Sequence, residues 1–374
     1  MTKYQLTPLR NTAAHKKNII EKTRSAMETP PSKKKKAYVL PALIASLAFV
    51  LTIFIAGPSI QQALWSKQNI TVEKVVIPNV PYESLITSTY VEESNEFVYN
   101  TAEGFFSFDV TEKHERLIVN TSEVGRIFDY AVSENWLVWA QPVEDVEKIH
   151  VYDRKHDELT VLNNDYFYGI ELKDNTIIYM ALNDDKPSYM KADLLTGEKE
   201  SLREFEEGSN SRPAIDGSKI AISESVELDK QTSTTVSVHN FETLQNTESY
   251  ILPYEIAQNV LLKGNHIFAL LWNSDEQQPA IIGTIDTNSN EFNIIETSVG
   301  VDAYATDGRH FALSVQKGDS NTVQLFELEE GKLKRTSSLP KIKERLVKPR
   351  FTEQGTLVVN GEGQDRAMYL IRFK

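Results

Sequence analysis

The sequence predicts an all-β fold, a seven-bladed β-propeller preceded by one transmembrane α-helix and a short basic N-terminal tail. Three observations carry that expectation. The run from Ala37 to Ile60 holds no charged side chain, a polar turn followed by an apolar strand recurs seven times after it, and the charge of the chain reverses across it.

Residues 1–36 form the tail. They hold ten Lys and Arg against two acids, Glu21 and Glu28, a surplus of eight positive charges. Asn11-Thr12 can cap a short helix carrying Ile19, Ile20, Thr23 and Met27, which Thr29-Pro30-Pro31 would end. The narrow apolar face suits a leader that only orients the anchor; a small docking helix for a cytoplasmic partner is the functional alternative. His15 has no Cys or second His nearby to suggest a metal.

The span follows at 37–60. As a helix, its first twenty residues would reach roughly 30 Å, the hydrocarbon thickness of a bilayer. Lys33, Lys34, Lys35 and Lys36 abut it and mark that end as cytoplasmic. Each could gain about 1 kcal/mol against an anionic inner leaflet. A cleaved signal peptide has an apolar region of only about 7–15 residues and a short leader, so the segment reads as an uncleaved anchor. The whole chain is at −13, so with +8 in the tail and none in the span the remainder stands at −21. The expected location is the cell membrane: single-pass, N-terminus cytoplasmic, C-terminal domain extracytoplasmic. The lipid bilayer is then the first partner. Residues 61–69 read as a connector, with Trp65 placed for the outer interface. No Cys is present, so the outer domain has no disulfide or thiolate metal site and must rely on its own core.

From Ile70 to 374 the chain repeats. The third turn residue falls at 95, 135, 175, 218, 265, 309 and 355, in steps of 40, 40, 43, 47, 44 and 46. Periods in this range with several strands each denote propeller blades. After each turn comes an apolar run without alternation, such as Phe97-Val98-Tyr99 or Ile177-Ile178-Tyr179-Met180-Ala181. A strand covered on both faces reads that way. A third, more alternating strand follows, then a turn and a short outer strand. The last repeat stops after Met368 to Phe373, and Ile70 to Pro78 is a strand with no repeat of its own. That segment is expected to supply the outer strand of blade seven and close the ring.

Two runs, Asp216-Gly217-Ser218-Lys219-Ile220-Ala221-Ile222-Ser223 and Asp307-Gly308-Arg309-His310-Phe311-Ala312-Leu313-Ser314, resemble the Asp-Gly-x-x-Ile-Ala-Phe-Ser run of TolB-like propeller repeats. Ile149-His150-Val151-Tyr152-Asp153 is similar to the strand ending in Asp that comes after it. The resemblance covers residues 85–361 as a repeat pattern and departs from it at Ser133-Glu134-Asn135 and Glu353-Gln354-Gly355. It implies the fold, and no catalytic residue.

No nucleophile elbow, phosphate-binding loop, zinc-protease or EF-hand pattern occurs in the sequence. No catalytic residue and no cofactor is therefore assigned. The six outer histidines read as structural or surface groups. Asn163-Asn164-Asp165, Asn183-Asp184-Asp185 and Glu204-Glu206-Glu207 have the oxygen chemistry of Ca²⁺ ligands; solvated loops explain them equally, and no metal site is assigned. Trp136 and Trp139 lie inside a two-faced apolar run and read as core. Trp272, at a strand end before Asn273-Ser274-Asp275-Glu276, is the candidate partner contact. A charge of −21 argues against nucleic acid and against acidic wall polymers. The expected function is a non-enzymatic binding or scaffolding module for an unknown protein or wall-associated ligand. Two alternatives stand beside it: a transmembrane signalling regulator, anti-sigma-like, whose tail holds a cytoplasmic factor, and a propeller hydrolase or lyase.

Overall fold

The computed structural model describes residues 4–5 and 70–373, apart from 122–126, 128, 144–145, 163–164, 184–185, 206–210, 229–230, 274–279, 296–300, 318–319, 330–331 and 337–341. The expected tail helix, the span at 37–60, Lys33 to Lys36 and Trp65 lie outside these residues. No helix among the described residues is long and apolar enough to cross a membrane.

Seven antiparallel sheets carry the fold, each with four successive blade strands from the axis outward, except that the seventh takes its outermost strand from Ile70–Val75 and the fifth gains a short extra strand at its outer edge. The apolar runs are the second strands: Glu96–Asn100, Trp136–Val143, Thr176–Asn183, Lys219–Leu228, His266–Trp272, His310–Lys317 and Leu357–Gly361. Their continuous hydrophobicity has a simple geometric cause. Successive side chains point to opposite faces of a sheet, and both faces of each blade meet a neighbour. Phe97 and Tyr99 pack with blade seven, while Val98 packs with blade two. Leu137 and Trp139 face blade one; Trp136, Val138 and Ala140 face blade three. Phe311 and Leu313 face blade five, and Ala312 faces blade seven. The core is therefore seven separate wedges of apolar side chains, one at each blade junction.

The third strands are more buried than alternation suggests: Gly104–Asp109 and Ile281–Asp286 each have four buried residues of six. They too are sandwiched, and exposure begins only with outer strands such as Glu158–Leu162. The Asp that ends a third strand starts the next hairpin. Asp153 Oδ1 accepts from the backbone N–H of Lys155 at 2.9 Å and of His156 at 3.0 Å. Asp109, Asp193 and Asn240 make the same Asx turns.

Six of the seven turns between first and second strands contain a residue at positive φ, at Asn95, Asp174, Gly217, Gly264, Gly308 and Gly355. The exception is Ser133-Glu134-Asn135, where the TolB-like pattern also departs. There Ser133 Oγ accepts from the Trp136 N–H at 3.2 Å instead.

The ring closes as expected. Ile70–Val75 pairs antiparallel with Met368–Phe373 in unbroken register, from Ile70 opposite Phe373 to Val75 opposite Met368. Arg372 meets Glu73 at 3.0 Å and Lys74 meets Asp365 at 2.9 Å along the seam. One short helix, Tyr82–Ile86, joins that strand to blade one; the sequence pattern did not indicate it. A two-residue strand, Tyr4–Gln5, adds to the outer edge of blade five opposite Phe292 and Glu291.

Candidate functional site

The seven innermost strands are Thr89–Val91, Asp129–Val132, Asp165–Lys173, Ala214–Asp216, Ile256–Lys263, Val301–Thr306 and Leu346–Phe351. They line an axial channel with two lobes of about 630 Å³ and 520 Å³, whose walls together draw residues from all seven blades. The lobes meet at a waist formed by Glu171, Arg212, Arg350, Phe351 and Glu353, which line both.

Irregular inner strands put charged side chains there. The strands of blades three, five, six and seven each carry a bulge, which leaves a residue unpaired and re-aims those after it. Gly169, Asn259 and Lys348 occupy three of these bulges in the left-handed conformation. Glu171 and Arg350 each come two residues after such a turn. Gly169 suits its place because its φ is +70°, and a Cβ there would also sit tightly, 3.1 Å from Arg212 Cγ.

Blades two, three and four are tied by one ionic network. The Asp129 carboxylate is buried, accepts from the Ile170 N–H at 3.0 Å and pairs with Arg212. The same guanidinium lies 3.8 Å from Glu171. Burial lifts the Glu171 carboxyl to about 7; Arg212 opposes the rise and the Asp129 charge supports it. The side chain keeps 38% of its surface accessible, so water in the channel offsets part of that burial. On the blade-six side, Tyr304 donates its hydroxyl to the Asn259 carbonyl at 2.7 Å, and Asn259 Nδ2 donates to the Tyr304 carbonyl at 2.9 Å.

Arg350 stands apart. Its Nη1 donates to the Lys348 carbonyl at 3.0 Å and to Asn360 Oδ1 at 2.6 Å, and its Nη2 to Ser88 Oγ at 3.3 Å. These acceptors are neutral, and Nε is buried without one. Burial pulls its pKa down to about 10. The larger lobe is lined by four cations, Arg212, Lys263, Lys348 and Arg350, against Glu171 and Glu353. The smaller lobe reverses that sign, with Glu92, Glu93, Glu134 and Asp174 joining its wall.

The residues singled out from sequence sit elsewhere. Trp272 is half-buried and packs against the wedge between blades five and six. Trp136 and Trp139 are core residues, donating to Asn175 Oδ1 and Gln141 Oε1, each at 2.8 Å. His150 and His239 are buried, His150 stacked on Trp139; His156 and His310 pair with Asp153 and Asp307 at 2.8 Å. Most of the three acid-rich loops falls outside the described residues. Among the described residues no group of three or more His, Cys, Asp or Glu is placed to hold a metal. The channel residues were missed because the inner strands were unassigned. The available signal was a charged residue interrupting a strand-forming segment, as in Gly169-Ile170-Glu171-Leu172 and Lys348-Pro349-Arg350-Phe351.

No family model matches the chain, and no curated protein matches it. Solved structures do. An oligogalacturonate lyase in complex with manganese shares 12% identity over 82% of this chain and 98% of that one, at TM-score 0.53. The propeller domain of the Trilobed protease from Pyrococcus furiosus, described as having an open velcro topology, shares 12% over 67% and 84%, at 0.52. TolB from Acinetobacter baumannii aligns over 85% and 68% with 11% identity, at 0.41, too low to place the chain in that family. Proteins of different activities share this architecture, so it does not carry an activity with it. The seven sheets of the ring, with these first two likenesses, establish the fold: the chain is a seven-bladed β-propeller.

Proposed function

We propose that this chain is a non-enzymatic binding or scaffolding module, its propeller displayed outside the cell by a helix over 37–60 with the tail in the cytoplasm. The observation that carries the binding reading is the axial channel: a concavity within the usual size of ligand sites, lined by convergent charged and aromatic groups from every blade. The membrane reading rests on the uncharged segment and the lysines before it. One observation runs against it, since the pairing of Tyr4–Gln5 with blade five needs tail and wheel on one side of any bilayer. A two-residue ladder adds little stability, and its loss would only leave Glu291–Ile295 as an open edge.

The chain has no cysteine, which makes the test direct. Single variants Lys155→Cys, in an exposed blade-two turn, and Lys17→Cys, in the tail, are treated in intact cells with a membrane-impermeant thiol reagent. Labelling of the first and protection of the second is expected. The reverse pattern, or equal labelling, would overturn the orientation.

A second reading, a propeller hydrolase or lyase, has one observation behind it: a channel carboxyl, Glu171, poised near neutrality. Turnover of a channel-bound substrate that Glu171→Gln abolished would establish it.

A further inference from the structure

The guanidinium of Arg350 is the cation at the channel waist that lacks a counter-charge. Several arginines elsewhere on the wheel meet carboxylates: Arg154 pairs with Glu96, Arg203 with Glu224 at 3.1 Å, Arg309 with Glu327 at 2.6 Å and Arg345 with Glu362 at 2.8 Å. At the waist itself Arg212 has Asp129. Arg350 makes no ion pair among the described residues; the three acceptors it meets are a carbonyl, an amide oxygen and a hydroxyl. A cation partly withdrawn from water without a counter-charge carries a cost, and an anion entering the cavity would relieve it.

We propose that the larger lobe of the channel binds a carboxylate-bearing ligand, anchored by Arg350 and assisted by Lys348 and Lys263. Three features select a carboxylate. One uncompensated guanidinium matches one negative charge, and carboxylate is the planar monoanion that a guanidinium recognises through paired hydrogen bonds. With Arg212 already held by Asp129, Arg350, Lys348 and Lys263 face Glu171 and Glu353 on the same wall, a surplus too small for a dianionic phosphate. The cavity, about 630 Å³, suits a small or narrow molecule. The acidic exterior is no bar to a small monoanion, since at physiological salt exposed charges are screened beyond about 8 Å. It does disfavour a long acidic polymer, which would bring many charges to a surface of the same sign. This inference rests on the reading of the channel as a binding site and names the chemistry of its occupant.

The test uses full-length protein in detergent and two families of probe, an N-acetylated dipeptide series with free C-terminal carboxylates and a set of hexuronic acids. The amide form of each probe serves as control, and binding is read by calorimetry and ligand-observed NMR. At least one carboxylate family is expected to bind, with its amides weaker by tenfold or more; whichever family binds identifies the source. Arg350→Gln should lose binding, Arg350→Lys should retain part of it, and Lys155→Ala should be unchanged. Should Arg350→Gln fail to fold, the Lys263→Gln/Lys348→Gln double variant replaces it, with an expected weakening of threefold or more. Absence of binding by both families, equal binding of amides and acids, or full binding by whichever of these variants folds would overturn the proposal. Its fate is separable from that of the function proposed above. Outside labelling with no carboxylate bound leaves the module standing and this site refuted, whereas carboxylate binding accompanied by turnover refutes only the non-enzymatic reading.

Discussion

At the scale of single residues, two glutamates show how one side chain takes opposite roles on this scaffold. Glu96 is buried at the junction of blades one and two, where Arg154 pairs with it and Arg116 approaches to 3.3 Å. Burial alone would raise its pKa, but the hydrogen bond and charge of Arg154 hold it below the ordinary value. A depressed carboxyl stabilises the fold above its unfolded-state value of about 4.3 and loses that contribution as pH falls through the folded value. Glu96→Gln leaves Arg154 buried without its charge partner. It is expected to cost about 3 kcal/mol at pH 7 and to lessen the fall of Tm on acidification; an unchanged melting profile from pH 7 to pH 3 would refute this. Glu171 is the inverse case. Its folded value is raised to about 7, so folding favours the protonated form and the penalty grows as pH climbs from the unfolded value toward neutrality. Glu171→Gln should therefore be relatively more stable than the parent at pH 8 than at pH 5. A pH-independent difference in Tm would show that channel water already solvates the charge.

At the scale of strands, legibility followed burial. Second strands were readable because two neighbouring blades demand apolar residues at every position, and the turns before them because hairpins demand left-handed residues. Inner strands were not readable. One side faces a wet, charged channel and the other a dry wedge, four of them are bulged, and Leu346–Phe351 even carries Pro349. None of this resembles the alternation that marks a strand from sequence. The closing strand was legible by subtraction, as a strand without a repeat beside a repeat without a strand. Its pairing gives a further prediction. Thr71 and Arg372 are opposed across the seam, and Thr71→Cys with Arg372→Cys would enclose nearly the whole wheel in one covalent loop. In the chain-entropy relation a loop of that length adds on the order of 5 kcal/mol, less the Arg372–Glu73 ion pair. The oxidised form should melt well above the reduced form; equal melting would mean that the seam is not closed in solution.

At the scale of the whole molecule, the wheel is a ring of similar wedges with no central core, so its integrity depends on every junction, including the one between its two ends. A chain lacking residues 70–75 would leave Met368–Phe373 as an open edge. It is expected to self-associate, with light scattering as the measure; a stable monomer would show that the other junctions suffice. The candidate site belongs to this scale as well. Glu171, Arg212 and Arg350 come from blades three, four and seven, and their meeting at the axis is a property of ring geometry that local sequence does not display.

The clasp also has a mechanical meaning. Ile70–Val75 is at once the outermost strand of the last blade and the stretch through which everything before residue 70 is connected to it. Tension on the leading end of the chain, once the Tyr4–Gln5 ladder has parted, therefore falls on the six paired residues and the ion pairs of the blade-seven seam, before the other six blades are loaded. The seam would act as the fuse of the assembly, parting under pull while the other six blades still hold their shape.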